Sequence, residues 1–261
     1  LTMAFISSLS TTFMSFILGF GLYGSTFILP LYTQSTLGWT AQQSGALMIP
    51  AALTTAFMMP LIGRLITAGV KNQYLVAGGL FTFFVYSLWG YKIITPDTGA
   101  DAFFWMLIAR GIGLGLLFIP ITALSLSTLK GQEIGQGAAF TGMMRQLGGS
   151  FGVAMITTFL SHQNMAYRND LVGKLDVNSM AVQQRVNGLQ QSFMGKGMTP
   201  DVALKAAYKA LDYGVSKQAA VLSYMDVFLY LGIIFLICIP FILFVKQKKN
   251  APKVDLGEAM H

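Results

Sequence analysis

The sequence predicts an all-α polytopic membrane protein, with six transmembrane helices in one bundle and a helical extracytoplasmic segment. Composition is the first reason. Hydrophobic residues make up 54% of the 261, charged residues only 10%, and the mean hydropathy is +0.61. A water-soluble surface needs about a quarter of the chain charged, so most of this surface faces something other than water. The second reason is the length of the apolar runs, six of which reach the roughly 20 residues that a hydrocarbon layer of about 30 Å requires. Runs this long and continuous favour helices, which satisfy their backbone hydrogen bonds internally, over the short alternating strands of a barrel.

In chain order the expected spans are Phe5–Thr33, Ala41–Ile66, Tyr74–Ile94, Ala102–Leu126, Gly135–Leu160 and Val221–Val245. The organisation that follows is spans one to five over residues 1–160, an outer segment over 161–220, span six over 221–246 and a tail over 247–261. In the outer segment Val182, Val186, Leu189 and Phe193 recur at helical spacing, and Thr199-Pro200-Asp201 reads as a helix start. Two amphipathic helices divided near Gly195–Gly197 are expected there, lying on the membrane, covering the outer mouth, docking a partner, or simply connecting the spans. The first apolar run is too long for a cleavable signal peptide, and a chain that opens on Leu1 suggests a processed or partial polypeptide.

Lysine and arginine in the short loops set the orientation. Arg64, Lys71, Lys130, Lys246, Lys248, Lys249 and Lys253 fall on one side, against Lys92 alone among the short loops of the other. The richer side is read as cytoplasmic, with both termini there. Trp39, Trp89 and Trp105 fall at the predicted outer ends, where an interfacial aromatic belt belongs. The net charge of +7 is thus a topology signal and asks for no nucleic acid.

No nucleotide loop, zinc-binding helix motif, CxxC pair or nucleophile elbow is present, so no enzyme reading survives. Cys238 is the single cysteine, and His162 and His261 have no neighbours suited to a metal. The string RGIGLG (Arg110–Gly115) has no strand before it and lies inside an apolar span, so it is no dinucleotide fingerprint.

Ionisable groups within spans are costly and mark function. Arg110 and Arg145 lie deep, whereas Asp226 is about a turn inside the outer boundary. Too few buried acids are present to pair both arginines. A carboxylate from another polypeptide region, an anionic substrate or cavity water is expected; the alternative is that each arginine only hydrogen-bonds carbonyls freed at a helix break. For Asp226 a local cap or surface pair competes with a proton-carrying role. Pro30, Pro50, Pro60, Pro120 and Pro240 lie in or at the ends of spans, and Gly19, Gly21, Gly24, Gly111, Gly113, Gly115, Gly148, Gly149 and Gly152 mark close helix approach. Bent, glycine-packed helices with sparse deep charges describe a transporter better than an anchor.

Five strings carry a resemblance: GFGLYGSTFILPLYTQ (19–34), MIPAALTTAFMMPLIGRL (48–65), RGIGLGLLFIPITALSL (110–126), AAFTGMMRQLGGSFGVAM (138–155) and YMDVFLYLG (224–232). In this order and spacing they resemble the second half of a major facilitator superfamily transporter, specifically the 14-helix drug:proton antiporters of the EmrB/QacA type. The resemblance implies a C-terminal six-helix bundle in which spans one, two, four and five line a central cavity while three and six face lipid. It raises the functional weight of Arg110 and Arg145 and lowers that of Asp226. Gly63-Arg64 resembles the degenerate second copy of the family's cytoplasmic loop motif, without its full acidic-basic form.

On this footing Tyr23, Phe27, Phe118, Met143 and Met144 are candidate cavity walls, with helix packing as their alternative role, and Gln146 joins Arg145 in orienting substrate or tuning carboxylates. The implied activity is export of hydrophobic or cationic compounds against protons, in a bacterial cytoplasmic membrane, with the proton gradient as energy source and neither cofactor nor metal. The implied partners are the bilayer, a missing N-terminal half of six or eight helices, small hydrophobic substrates and a periplasmic adaptor. Two other classes stand beside it: a six-helix subunit of an ABC-type or multi-protein transporter, for which the inner loops look short, and a scaffold docking a periplasmic partner.

Overall fold

The computed structural model describes residues 2–126, 133–175 and 179–244, and every described element is a helix. They are α1 (Thr2–Ser35), α2 (Ala41–Leu47), α3 (Ile49–Thr67), α4 (Asn72–Ile93), α5 (Ala100–Leu126), α6 (Glu133–Gly173), α7 (Met180–Met194) and α8 (Pro200–Phe244). Lys130, Asp176 and the lysines of the 247–261 tail, with Lys246, lie outside the described residues.

The second apolar run is not one unbroken helix. Thr40 and Gln43 form a reciprocal capping box that starts α2, and Met48 joins it to α3 with Pro50 in the first turn. Proline lacks the N–H that would continue the α2 ladder, so the hydrogen bonding restarts there. Gly38 (φ 72°) and Gly69 (φ 91°) supply the left-handed residues that turn the chain after α1 and after α3.

Five stretches are long and apolar enough to cross a bilayer: Phe13–Ser35, Ala41–Thr67, Asn72–Ile93, Ala100–Ser125 and Pro200–Pro240. The fifth expected span lies in α6, which meets the length but not the apolarity requirement. Its residues 135–160 carry Arg145, Gln136, Gln146, six glycines, three threonines and Ser150. Those residues serve close contact with α1, so packing dilutes the hydropathy signal. The molecule is nonetheless all-α and polytopic.

In the outer segment the expected division is present, but the second helix is not separate from the sixth span. The chain does turn after α7 at Gly195–Gly197, with Gly197 at φ 89°. From Pro200, however, α8 runs unbroken through Ala220 into the sixth apolar run. At 1.5 Å per residue the 41 residues of α6 and the 45 of α8 span roughly 60 and 67 Å, about twice a hydrocarbon layer. Their halves beyond the apolar runs are tied by Arg168 Nη2 to Asp212 Oδ1 at 2.8 Å. Val186 of α7 is buried, with Val182, Leu189 and Phe193 half-buried along the same stripe, and α7 packs on α8.

The core lies where α1, α4, α5 and α8 meet. Tyr32, Phe83, Tyr86, Phe103, Phe228 and Phe235 are fully buried there and touch mainly edge-to-face or tilted, as in Tyr32–Phe103 (centroids 6.3 Å) and Tyr86–Phe228 (5.8 Å). By contrast α3 leaves Ile49, Leu53, Phe57 and Leu61 exposed as one stripe at four-residue spacing.

Candidate functional site

Tyr23, Phe118, Arg145 and Gln146 meet where α1, α5 and α6 converge, and glycine makes the convergence possible. A Cβ on Gly19 would stand 1.9 Å from Arg145 O, and one on Gly148 would stand 2.1 Å from Phe16 O. The backbones of α1 and α6 therefore touch, as small residues allow in membrane helix pairs. Gly149 and Gly152 accept the rings of Tyr23 and Phe20 in the same way.

This contact fixes Arg145. Its guanidinium lies over the Phe118 ring of α5, 4.5 Å from the centroid, and Nη2 donates to Thr122 Oγ1 at 3.2 Å. Arg145 Nε is buried with no acceptor among the described residues. A cation over an aromatic face contributes about 0.5–2 kcal/mol, while an unmet buried donor costs about 1–3 kcal/mol, so the two roughly offset. One helical position on, Gln146 Oε1 accepts from Tyr23 Oη at 3.1 Å. Tyr23 and Gln146, with Gly149, Ser150, Val153 and Ala154, line a recess of about 360 Å³.

Arg110 is 5% exposed and reaches from α5 to α1. Nε donates to Ser25 Oγ at 3.0 Å and Nη2 donates to Thr26 Oγ1. Both hydroxyls donate in turn to Leu22 O. Neither described arginine contact involves a carboxylate, and neither takes a freed carbonyl directly. Hydroxyls do this work, and Ser25, Thr26 and Thr122 were not among the sequence candidates. Tyr86 Oη is a further buried group without a partner among the described residues.

Asp226 stands apart from both arginines, accepting from Tyr167 Oη at 2.6 Å where α6 and α8 leave the apolar zone. Phe27 of α1 and Met143 of α6 are exposed, and Met144 is half-buried. Gly63 has open space around it, and Arg64 is exposed near the end of α3, where its carbonyl accepts from Ala68 N at 2.9 Å. The structure therefore unites Arg145 with Phe118 and Tyr23 with Gln146, and leaves Asp226 and the Gly63-Arg64 pair elsewhere. Among the described residues no group of three His, Cys, Asp or Glu could hold a metal.

The family model of the Major Facilitator Superfamily matches residues 2–153, more than half of the chain. The chain belongs to the Major Facilitator Superfamily. Over 228 residues it is 27% identical to the uncharacterized MFS-type transporter YhcA of Bacillus subtilis, covering 86% of this chain and 42% of that protein. Fatty acid resistance protein FarB of Neisseria gonorrhoeae is 24% identical over 231 residues, with 88% and 43% covered. Multidrug export protein EmrB of Escherichia coli K12 is 24% identical over 234 residues, again with 88% and 43% covered. The chain thus spans less than half the length of these facilitator relatives. Tyr23, Phe27, Arg110, Phe118, Met143, Met144 and Gln146 all fall inside the matched facilitator region, as does Arg145, while Asp226 falls beyond it.

Proposed function

We propose that this chain supplies one helical bundle of a secondary transporter that exports hydrophobic or cationic compounds, proton-driven, by alternating access. Membership of the facilitator superfamily and relatives named for multidrug export and fatty acid resistance support transport as the activity. The observation that carries the site is Arg145, a charge in the α6 span held on Phe118 and Thr122, with a buried N–H that has no acceptor among the described residues. Its neighbour Gln146 lines the recess shared with Tyr23, and a change in what the Arg145 N–H meets is a change that two rocking states can report. The remaining bundle of six or eight helices completes the cavity and carries the proton-binding carboxylates. The membrane in this reading is the bacterial cytoplasmic membrane, and the basic loops support a cytoplasmic position for both ends of this chain.

The test is efflux of a fluorescent lipophilic dye from cells expressing the native polypeptide or Arg145→Ala. The variant is expected to insert at the native level and to lose at least about tenfold in efflux rate. Normal efflux by an inserted Arg145→Ala protein removes Arg145 from the site.

A further inference from the structure

We infer that the recess between α2 and the start of α5 holds the headgroup of a bilayer phospholipid that carries both a phosphate and a protonated amine, a phosphatidylethanolamine. The site is separate from the Arg145 region and independent of what the bundle transports. Trp39, Gln43, Asp101, Phe104 and Trp105 line it, with Ala46, Leu47 and Pro50 as apolar lining, around a volume of about 670 Å³. The capping box of α2 prepares one side. Gln43 Oε1 accepts from Thr40 N at 2.9 Å, and Thr40 Oγ1 accepts from Gln43 N at 3.3 Å. The Gln43 amide thus spends its oxygen on the cap, and its Nε2 has no acceptor among the described residues.

Asp101, in the first turn of α5, supplies the other side. Its carboxylate is exposed and belongs to neither ion pair among the described residues, which are Arg168–Asp212 and Lys174–Asp170. Beside it Trp105 and Phe104 are 62% and 45% exposed. Ring contacts fix these aromatics in place. Phe104 and Trp105 stand edge to face with centroids 5.6 Å apart, and Trp39 packs edge-on against Phe103 at 6.4 Å. A free carboxylate among open aromatic faces attracts an ammonium, and a free amide N–H donates to a phosphate oxygen. The two groups face one recess, so the ligand that satisfies both carries both charges. Tryptophans at helix ends mark the boundary between hydrocarbon and water, which is the level of a phospholipid headgroup. From there Ala46, Pro50, Leu53 and Phe57 follow one another at helical spacing, with Leu53 and Phe57 exposed, as a track for an acyl chain. An anionic headgroup brings no cation and meets Asp101 as like charge, whereas a plain alkylammonium leaves Gln43 unanswered.

The experiment is native mass spectrometry of the delipidated native polypeptide in detergent, without a proton gradient, titrated with dioctanoyl phosphatidylethanolamine, dioctanoyl phosphatidylglycerol or octylamine. The probes share eight-carbon chains, so the comparison reads the headgroup. Phosphatidylethanolamine is expected to bind at least about fivefold more tightly than either of the others. Asp101→Asn should remove that preference and leave phosphatidylglycerol binding no weaker than before. Trp105→Ala should weaken phosphatidylethanolamine about threefold or more and spare phosphatidylglycerol. Equal binding of the two phospholipids by the wild type overturns the proposal. Octylamine binding as tightly as phosphatidylethanolamine overturns it in favour of a simple cationic ligand. Glycerophosphoethanolamine, the headgroup without chains, displacing the lipid at equal concentration overturns it in favour of a soluble ligand. An Asp101→Asn protein that keeps the preference places the lipid elsewhere and overturns the site. The wild-type comparison needs no variant, so a misfolding substitution leaves the test intact. A polypeptide that keeps the preference but effluxes no dye fails the export reading alone; one that effluxes dye without the preference fails this site alone.

Discussion

Tyr167 lies in the part of α6 beyond the apolar zone, and its hydroxyl donates to Asp226 Oδ2 at 2.6 Å. That bond first, then partial burial and the nearby negative charge, push the phenol from 10.0 up to about 12. A group whose folded-state value is raised stabilises the fold fully below its unfolded value and loses that contribution as pH climbs through the folded one. The window here runs from about pH 10 to about pH 12. Tyr167→Phe should cost about 1 kcal/mol or less near neutral pH, since the pair is partly solvated, and should flatten the loss of stability across that window. Thermal melts of the two proteins at several pH values check this; parallel curves would mean the bond contributes nothing. Single residues were only partly legible beforehand. A charge inside an apolar run announces itself, so Arg110 and Arg145 stood out. Their partners did not, because Ser25, Thr26 and Thr122 are ordinary helix hydroxyls 85, 84 and 23 positions away in sequence.

Among the elements, the α1–α6 pair is the most sensitive to a single methyl group. Gly148→Ala places a Cβ against Phe16 O, which is backbone and cannot step aside. Overpacking of this kind costs about 1–3 kcal/mol, and separating the helices also lifts Arg145 off Phe118. Gly142 lies on the same helix with nothing within 4 Å, so Gly142→Ala should be neutral or stabilise slightly, alanine being the better helix former by about 1 kcal/mol. Detergent melting temperatures of the two variants against the parent decide the point, and a shared shift would remove the seam from the account. The glycine clusters in the sequence pointed to such approach, and hydropathy marked five of the helices. What hydropathy hides is continuity: α8 changes from amphipathic to apolar composition near Ala220 without a break, because neither glycine nor proline interrupts the backbone there. It also underweights α6, whose small and polar residues are there to touch α1.

For the whole molecule, the consequence of α6 and α8 being about twice as long as a bilayer is thick is a helical projection on one side. Trp39, Trp89 and Trp105 belong to that same end, where Trp39 packs edge-on against Phe103 at 6.4 Å and Tyr32 Oη donates to Thr95 O at 2.6 Å. The orientation proposed from the loop charges puts the projection outside the cytoplasm, and proteolysis tests that proposal. Trypsin cuts exposed, non-helical segments in preference to helices. Lys174 follows α6 with its side chain 71% exposed, and Lys196 sits in the turn between α7 and α8. Trypsin added to spheroplasts should therefore cut at Lys174 or Lys196 and free a piece bearing α8, detected with an antibody to the 247–261 tail. Inverted vesicles should protect both sites and lose the tail epitope instead, since its lysines then face the protease. Cleavage of the projection only in inverted vesicles would reverse the orientation. The Tyr23–Gln146 recess would then be turned over with it, because Gln146 belongs to the same helix α6 as the projection.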